Sequence, residues 1–108
     1  MTNKHKQVRT SNSNARFYVK DLIQFKGSNT FGIWKKTHND DMLYVVYSYG
    51  YHWPLFIYDN QKWYENSSYA SPTTSKHESQ LHPCTSTESR TLDDMLKIAE
   101  HGSMGLFM

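Results

Sequence analysis

The densest set of chemically capable side chains lies between Thr73 and Gln80, where Thr73, Thr74, Ser75, Lys76, His77 and Gln80 bring hydroxyls, an amide, a cation and an imidazole into one short segment. Hydroxyl and backbone N–H groups bind phosphate oxygens without much net charge, and a lysine adds a point charge. The same groups serve equally as caps and turns that satisfy backbone polar atoms where a loop crosses a sheet. A second imidazole, His52, sits in the Gly50–Pro54 connection. If the later segment folds back over that connection, His52 and His77 pair, and unperturbed imidazoles titrate near pH ~6.5. No nucleophile with a matched base and an orienting carboxylate accompanies them, so no catalytic residue is assigned.

Metal chemistry is the next candidate, because His77, His82 and Cys84 lie close in sequence. His82-Pro83-Cys84 is tighter than the usual zinc-ligand spacing of about two to four intervening residues. His77-Glu78 with Pro83-Cys84 lacks the second cysteine of a zinc deaminase pattern. No metal and no cofactor are therefore expected. Cys84 is the single cysteine and has no intramolecular disulfide partner.

Aromatic side chains are the third resource. Nine of the sixteen fall between Tyr44 and Tyr64, and at period 2 they cannot all face one side of a sheet. Either both faces are covered or one carries an exposed aromatic patch. Tyr51 and Tyr69, with Tyr47, Tyr49, Tyr58 and Tyr64, are candidates for stacking on bases or anchoring a protein partner; Trp53 and Trp63 are expected among the buried rings.

These residues need elements to hold them. Leu43–Tyr49 and Leu55–Tyr58 are β-branched and aromatic runs joined by Gly50–Pro54, and Asp59-Asn60-Gln61 supplies a second turn before Lys62–Glu65. The expected unit is a three-stranded antiparallel meander over 43–65. Thr30–Lys35 reads as a further strand, after a turn at Gly27-Ser28-Asn29, and Thr37–Asp41 as a turn. A short helix or turn is expected around Val19–Gln24, and a surface loop over Asn66–Gln80. Thr91 has the chemistry of an N-cap, Asp93 and Asp94 suit a first turn, Lys97 and His101 a last turn, and Gly102 the left-handed C-terminal position. Leu92, Met95, Leu96 and Ala99 form one apolar stripe, widened by Ile98, so a helix over about 91–101 closes one sheet face. The expected fold class is α+β, a small antiparallel sheet packed on that C-terminal helix.

Residues 1–14 are almost wholly polar and read as a disordered basic tail, leaving 15–108 as a single domain. Lys4, Lys6, Arg9 and Arg16 belong to a stretch with no acidic residue before Asp21. They are the candidate phosphate contacts if the partner is nucleic acid. The chain of 108 residues carries 12 Lys+Arg against 10 Asp+Glu, which fits neither an acidic DNA mimic nor a strongly basic packaging protein. No apolar run approaches the roughly 18 residues of a membrane span, and the N-terminus lacks a secretory signal. A soluble, cytoplasmic protein is expected, with no membrane partner. The sequence does not specify an oligomeric state.

One combined pattern has a counterpart. Tyr44-Val45-Val46-Tyr47-Ser48-Tyr49-Gly50-Tyr51-His52-Trp53-Pro54-Leu55-Phe56-Ile57-Tyr58, then Trp63-Tyr64-Glu65-Asn66, then Tyr69, Thr73-Thr74-Ser75-Lys76-His77-Glu78-Ser79-Gln80 and Pro83, resembles a widespread family of small bacteriophage and mobile-element proteins of unknown function. The resemblance spans about half of the chain, and Ala70-Ser71-Pro72 departs from it. It implies a phage accessory protein in the cytoplasm of an infected bacterial host, and no reaction comes with it. The expected function is non-enzymatic binding of a host macromolecule, a protein of transcription, replication or defence, through Tyr51, His52, Tyr69 and Thr73–Gln80. The alternatives are a small nucleic-acid-binding domain and, behind it, a histidine-dependent enzyme.

Overall fold

The computed structural model describes residues 6–107. The elements in chain order are β1 (Val8–Arg9), α1 (Asn12–Lys20), β2 (Phe25–Lys26), β3 (Thr30–Lys36), β4 (Met42–Ser48), β5 (Pro54–Asp59), β6 (Lys62–Asn66), α2 (Pro72–Gln80), β7 (Glu88–Arg90) and α3 (Leu92–His101), followed by a 3-10 turn over Ser103–Phe107. The class is α+β, as expected, with the 43–65 meander at its centre. The sheet is larger than a small antiparallel one: seven strands in sequential order, antiparallel through the middle and parallel at both edges, β1 with β2 and β6 with β7.

Those parallel edges dictate the layers. Each needs a crossover, supplied by α1 at one edge and α2 at the other. Two crossovers of the same hand, stepping in the same direction across one sheet, lie on the same face. Accordingly α1 and α2 pack together. Beneath them lie Ala15, Val19, Phe25, Tyr44, Val46, Leu55, Phe56, Trp63 and Leu81. The opposite face, with Leu43, Val45, Tyr47, Ile57 and Tyr64, is covered by Met95, Ile98 and Ala99 of α3. Both sheet faces are therefore covered, which is how the period-2 conflict of the aromatics resolves. Trp63 is buried, whereas Trp53 is only partly so.

Local chemistry explains the joints. Asn60 and Gln61 both take positive φ, the requirement of a two-residue type I′ hairpin turn. Val46 pairs with Phe56 and Tyr47 with Pro54, leaving Leu55 unopposed as a bulge. Consecutive Leu55 and Phe56 thereby enter the same core cluster. The α3 boundaries match the sequence signals, with the Thr91 hydroxyl accepting from the Asp94 N–H. Gly102 does stop the helix, but at φ 79 and ψ 179 it occupies a region essentially reserved for glycine rather than the left-handed helical one.

The N-terminal reading needs correction. Val8–Arg9 is a strand, and the helix starts at Asn12, so residues 8–14 are structured and the helix precedes the Val19–Gln24 position expected for it. Polar clamping, not apolar burial, holds this segment. The Asn12 amide donates to the Ser28 carbonyl at 2.9 Å, while its oxygen accepts from the Ser28 N–H at 2.9 Å and the Thr30 hydroxyl at 2.7 Å. Residues 1–5 of the expected tail, including Lys4, lie outside the described residues. Among the described residues no helix is long and apolar enough to cross a membrane.

Candidate functional site

The β4–β5 turn, the β6–α2 connection and the β2–β3 turn all leave the same end of the sheet. Tyr49 takes φ 67 and its N–H donates to the Asn29 carbonyl at 2.7 Å, binding two of these turns together. The Gly50 N–H donates to Ser48 and the Trp53 N–H to Gly50, which closes the tip. Tyr51 then folds over the α3 face, its ring 5.1 Å from Tyr47 and 5.2 Å from Phe31, with the Lys26 ammonium 5.8 Å from the Phe31 ring centre. His52 is exposed on the same turn. The third connection is fixed by Asn66, wholly buried, which donates to the Pro54 carbonyl at 3.0 Å and accepts from the Ser68 N–H at 2.8 Å. Tyr69 stands just beyond it. Three tyrosines at this end are more than half exposed: Tyr49 at 53%, Tyr51 at 64% and Tyr69 at 70%.

The segment expected as a loop is helix α2 from Pro72 onward. Ser71 caps it, its hydroxyl accepting from the Thr74 N–H at 3.1 Å, and Pro72 occupies the first turn, where a missing N–H costs nothing. A helix divides the polar cluster by face. Thr74 and His77 point inward and are buried; Thr73, Ser75 and Lys76 face solvent, and Gln80 is half-buried. His77 Nδ1 lies 2.8 Å from Ser48 Oγ, with its ring 5.5 Å from that of Tyr49. Burial, reinforced by neighbouring Lys76, holds its pKa below the ordinary imidazole value. Ser48 is wholly buried, so this pair clamps α2 to β4 and presents no accessible nucleophile. His77 is committed to Ser48 and Tyr49, while His52 is turned to solvent.

Of the basic residues, Lys6, Arg9 and Arg16 are exposed, and Arg16 lies over the Phe17 ring at 5.5 Å. The sequence-adjacent metal candidates separate: His77 faces Ser48, Cys84 is exposed, and the His82 Nδ1 accepts the Cys84 N–H at 3.0 Å.

Sequence reasoning missed a second polar cluster between β6 and α2. Glu65 and Glu78 perturb each other in opposite directions, which leaves a proton on Glu78 beside the Glu65 carboxylate. Burial and the Glu65 charge push the Glu78 pKa up to about 8. Glu65 is held below the ordinary carboxylate range by its bonds to Glu78, Thr87 and His82, against the opposing effect of burial. The Thr87 hydroxyl donates to it at 2.7 Å. Because Nδ1 of His82 is an acceptor, Nε2 carries the ring proton, 3.3 Å from the Glu65 carboxylate. Glu65 and Glu78 are far apart in sequence; only the helical state of 72–80 brings them together.

No family model, curated protein or solved structure matches this chain.

Proposed function

We propose that the protein is a small phage accessory module that binds a host protein of transcription, replication or defence in the cytoplasm of the infected bacterium and modulates it without catalysing a reaction. The observation that carries this reading is the group of exposed tyrosines at one sheet end, Tyr49, Tyr51 and Tyr69. Tyrosine gives large, rigid contact area with a polar tip and little conformational entropy to lose, and such residues dominate interface energetics. The turns that carry them are pinned by buried hydrogen bonds from Asn66 and by the Tyr49–Asn29 backbone bond, so little ordering cost remains for binding. The phage setting rests on the sequence pattern over residues 44–83.

The test is affinity capture from bacterial lysate, with and without nuclease, followed by binding measurements on the retained partner. A host protein that survives nuclease, and whose affinity falls at least ~30-fold on Tyr51→Ala or Tyr69→Ala, supports the reading. Loss of all retention on nuclease treatment, with a steep fall of affinity in salt, selects nucleic acid and the Arg9 and Arg16 surface instead. Full affinity in the tyrosine variants overturns the site.

A further inference from the structure

We propose that His38, Glu100 and His101 form a binding site for a divalent transition metal, with Zn2+ the best-fitting ion, at the opposite end of the sheet from the tyrosines. His38 lies in the β3–β4 turn; Glu100 and His101 end α3. The Nε2 atoms of both histidines converge on one carboxylate oxygen, Glu100 Oε1, at 3.5 Å from His38 and 3.7 Å from His101. All three donor atoms lie within 4.8 Å of one another. Tetrahedral zinc with ligands at about 2.0–2.1 Å has ligand–ligand edges of about 3.4 Å. Two edges of the triangle are thus already close to that value, and only the histidine–histidine edge has to contract.

The backbone prepares this approach. The His38 N–H donates to the Glu100 carbonyl at 3.1 Å, tying turn to helix end directly at the donor residues. Buried Thr37 shapes the turn, its hydroxyl accepting from the N–H groups of Asn39 and Asp41 at 3.2 Å each. The two imidazole rings meet edge to face, 4.9 Å apart at 86°. Two histidines and one glutamate are a zinc ligand set that leaves the fourth position for water or an exogenous ligand. His38 and Glu100 are exposed, so that position opens to solvent, and His101 also lines the groove formed with Asp41, Asp59 and Ser103. Imidazole with carboxylate disfavours the hard ions Mg2+ and Ca2+. The site was invisible to local spacing because its first ligand and its last two are contributed by distant parts of the chain.

The experiment is calorimetric titration of the full-length chain with ZnCl2, alongside His38→Ala, Glu100→Gln, His101→Ala and Cys84→Ser, with folding of each variant checked by circular dichroism in chelator. The expected result is one Zn2+ per chain, retained in Cys84→Ser. Each of the three ligand variants should lose at least the ~100-fold that even outer partners of a metal site can cost. Absence of binding below millimolar Zn2+, equal affinity in the ligand variants, or loss of binding in Cys84→Ser overturns the site. Co2+ substitution adds a spectroscopic check: absorption of a tetrahedral nitrogen–oxygen site supports it, and a thiolate charge-transfer band counts against it.

Discussion

Replacing Glu78 by Gln should make the protein more stable at alkaline pH and leave it nearly unchanged at acid pH. The proton that Glu78 retains beside Glu65 is the reason. In the unfolded chain Glu78 ionises near the ordinary 4.5, whereas in the fold it holds its proton up to about 8. A group whose pKa is raised on folding contributes its stability fully below the lower value, and that stability is lost as pH rises through the upper one. The window is therefore about pH 4.5 to 8. The full interval at about 1.4 kcal/mol per pH unit sets a ceiling of about 5 kcal/mol. Glu78 is only half-buried, and solvent beside Glu65 and His82 screens the pair, so about 2 kcal/mol is the expected penalty at pH 9. Glutamine keeps the shape and neutrality of the protonated acid, but has no proton to lose. Urea denaturation followed by tryptophan fluorescence at pH 5, 7 and 9 should show Glu78→Gln gaining stability over wild type progressively, by about 2 kcal/mol at the top of the range. A wild type minus variant difference that is flat across this range would falsify the proton retained on Glu78.

Gly102→Ala forces a Cβ into φ 79, ψ 179, where the backbone and not the ordinary contact with Asp59 Oδ2 is the source of strain; a loss of about 1–3 kcal/mol in denaturant unfolding is expected, and an unchanged midpoint would show that the helix end relaxes freely. Asn66→Ala strips the buried Pro54 carbonyl and the Ser68 N–H of their partners. It should cost about 1–3 kcal/mol and speed amide exchange in the Ser67–Tyr69 connection first, so exchange rates there that match wild type would argue against its anchoring role.

How much of this architecture was legible depends on where its signals reside. Helix α3 carries its own boundaries in Thr91, Asp93, Asp94 and Gly102, and of its expected stripe Met95, Ala99 and the widening Ile98 are buried whereas Leu96 is exposed, so local chemistry gives the helix and most of its buried face. The central strands are equally self-declaring, since Leu43–Ser48 and Leu55–Ile57 are continuous buried runs. The two-residue strands β1 and β2 have no such content; they exist because their backbone groups complete a ladder begun by β3. Helix α1 starts where Asn12 finds Ser28 and Thr30, a contact between residues that no periodicity links. Composition alone reads that stretch as unable to order itself, because composition weighs apolar burial and not a three-bond polar clamp.

Helix α2 shows the same limit at the site itself. Its sequence, Pro-Thr-Thr-Ser-Lys-His-Glu-Ser-Gln, contains no apolar stripe, and the residues it buries are Thr74 and His77. A helix can afford that only if each buried polar group has a partner, and here Ser71 and Ser48 supply them. The Ser71-Pro72 pair was the usable signal, an N-cap followed by proline at the first helical position. Once 72–80 is helical, every functional consequence changes. Thr73, Ser75 and Lys76 face outward, His77 becomes a buried clamp, and Glu78 is delivered to Glu65. The crossover that places α2 there is required by the parallel pairing of β6 with β7, so the short edge strand β7 positions the candidate site without contributing a residue to the tyrosine surface.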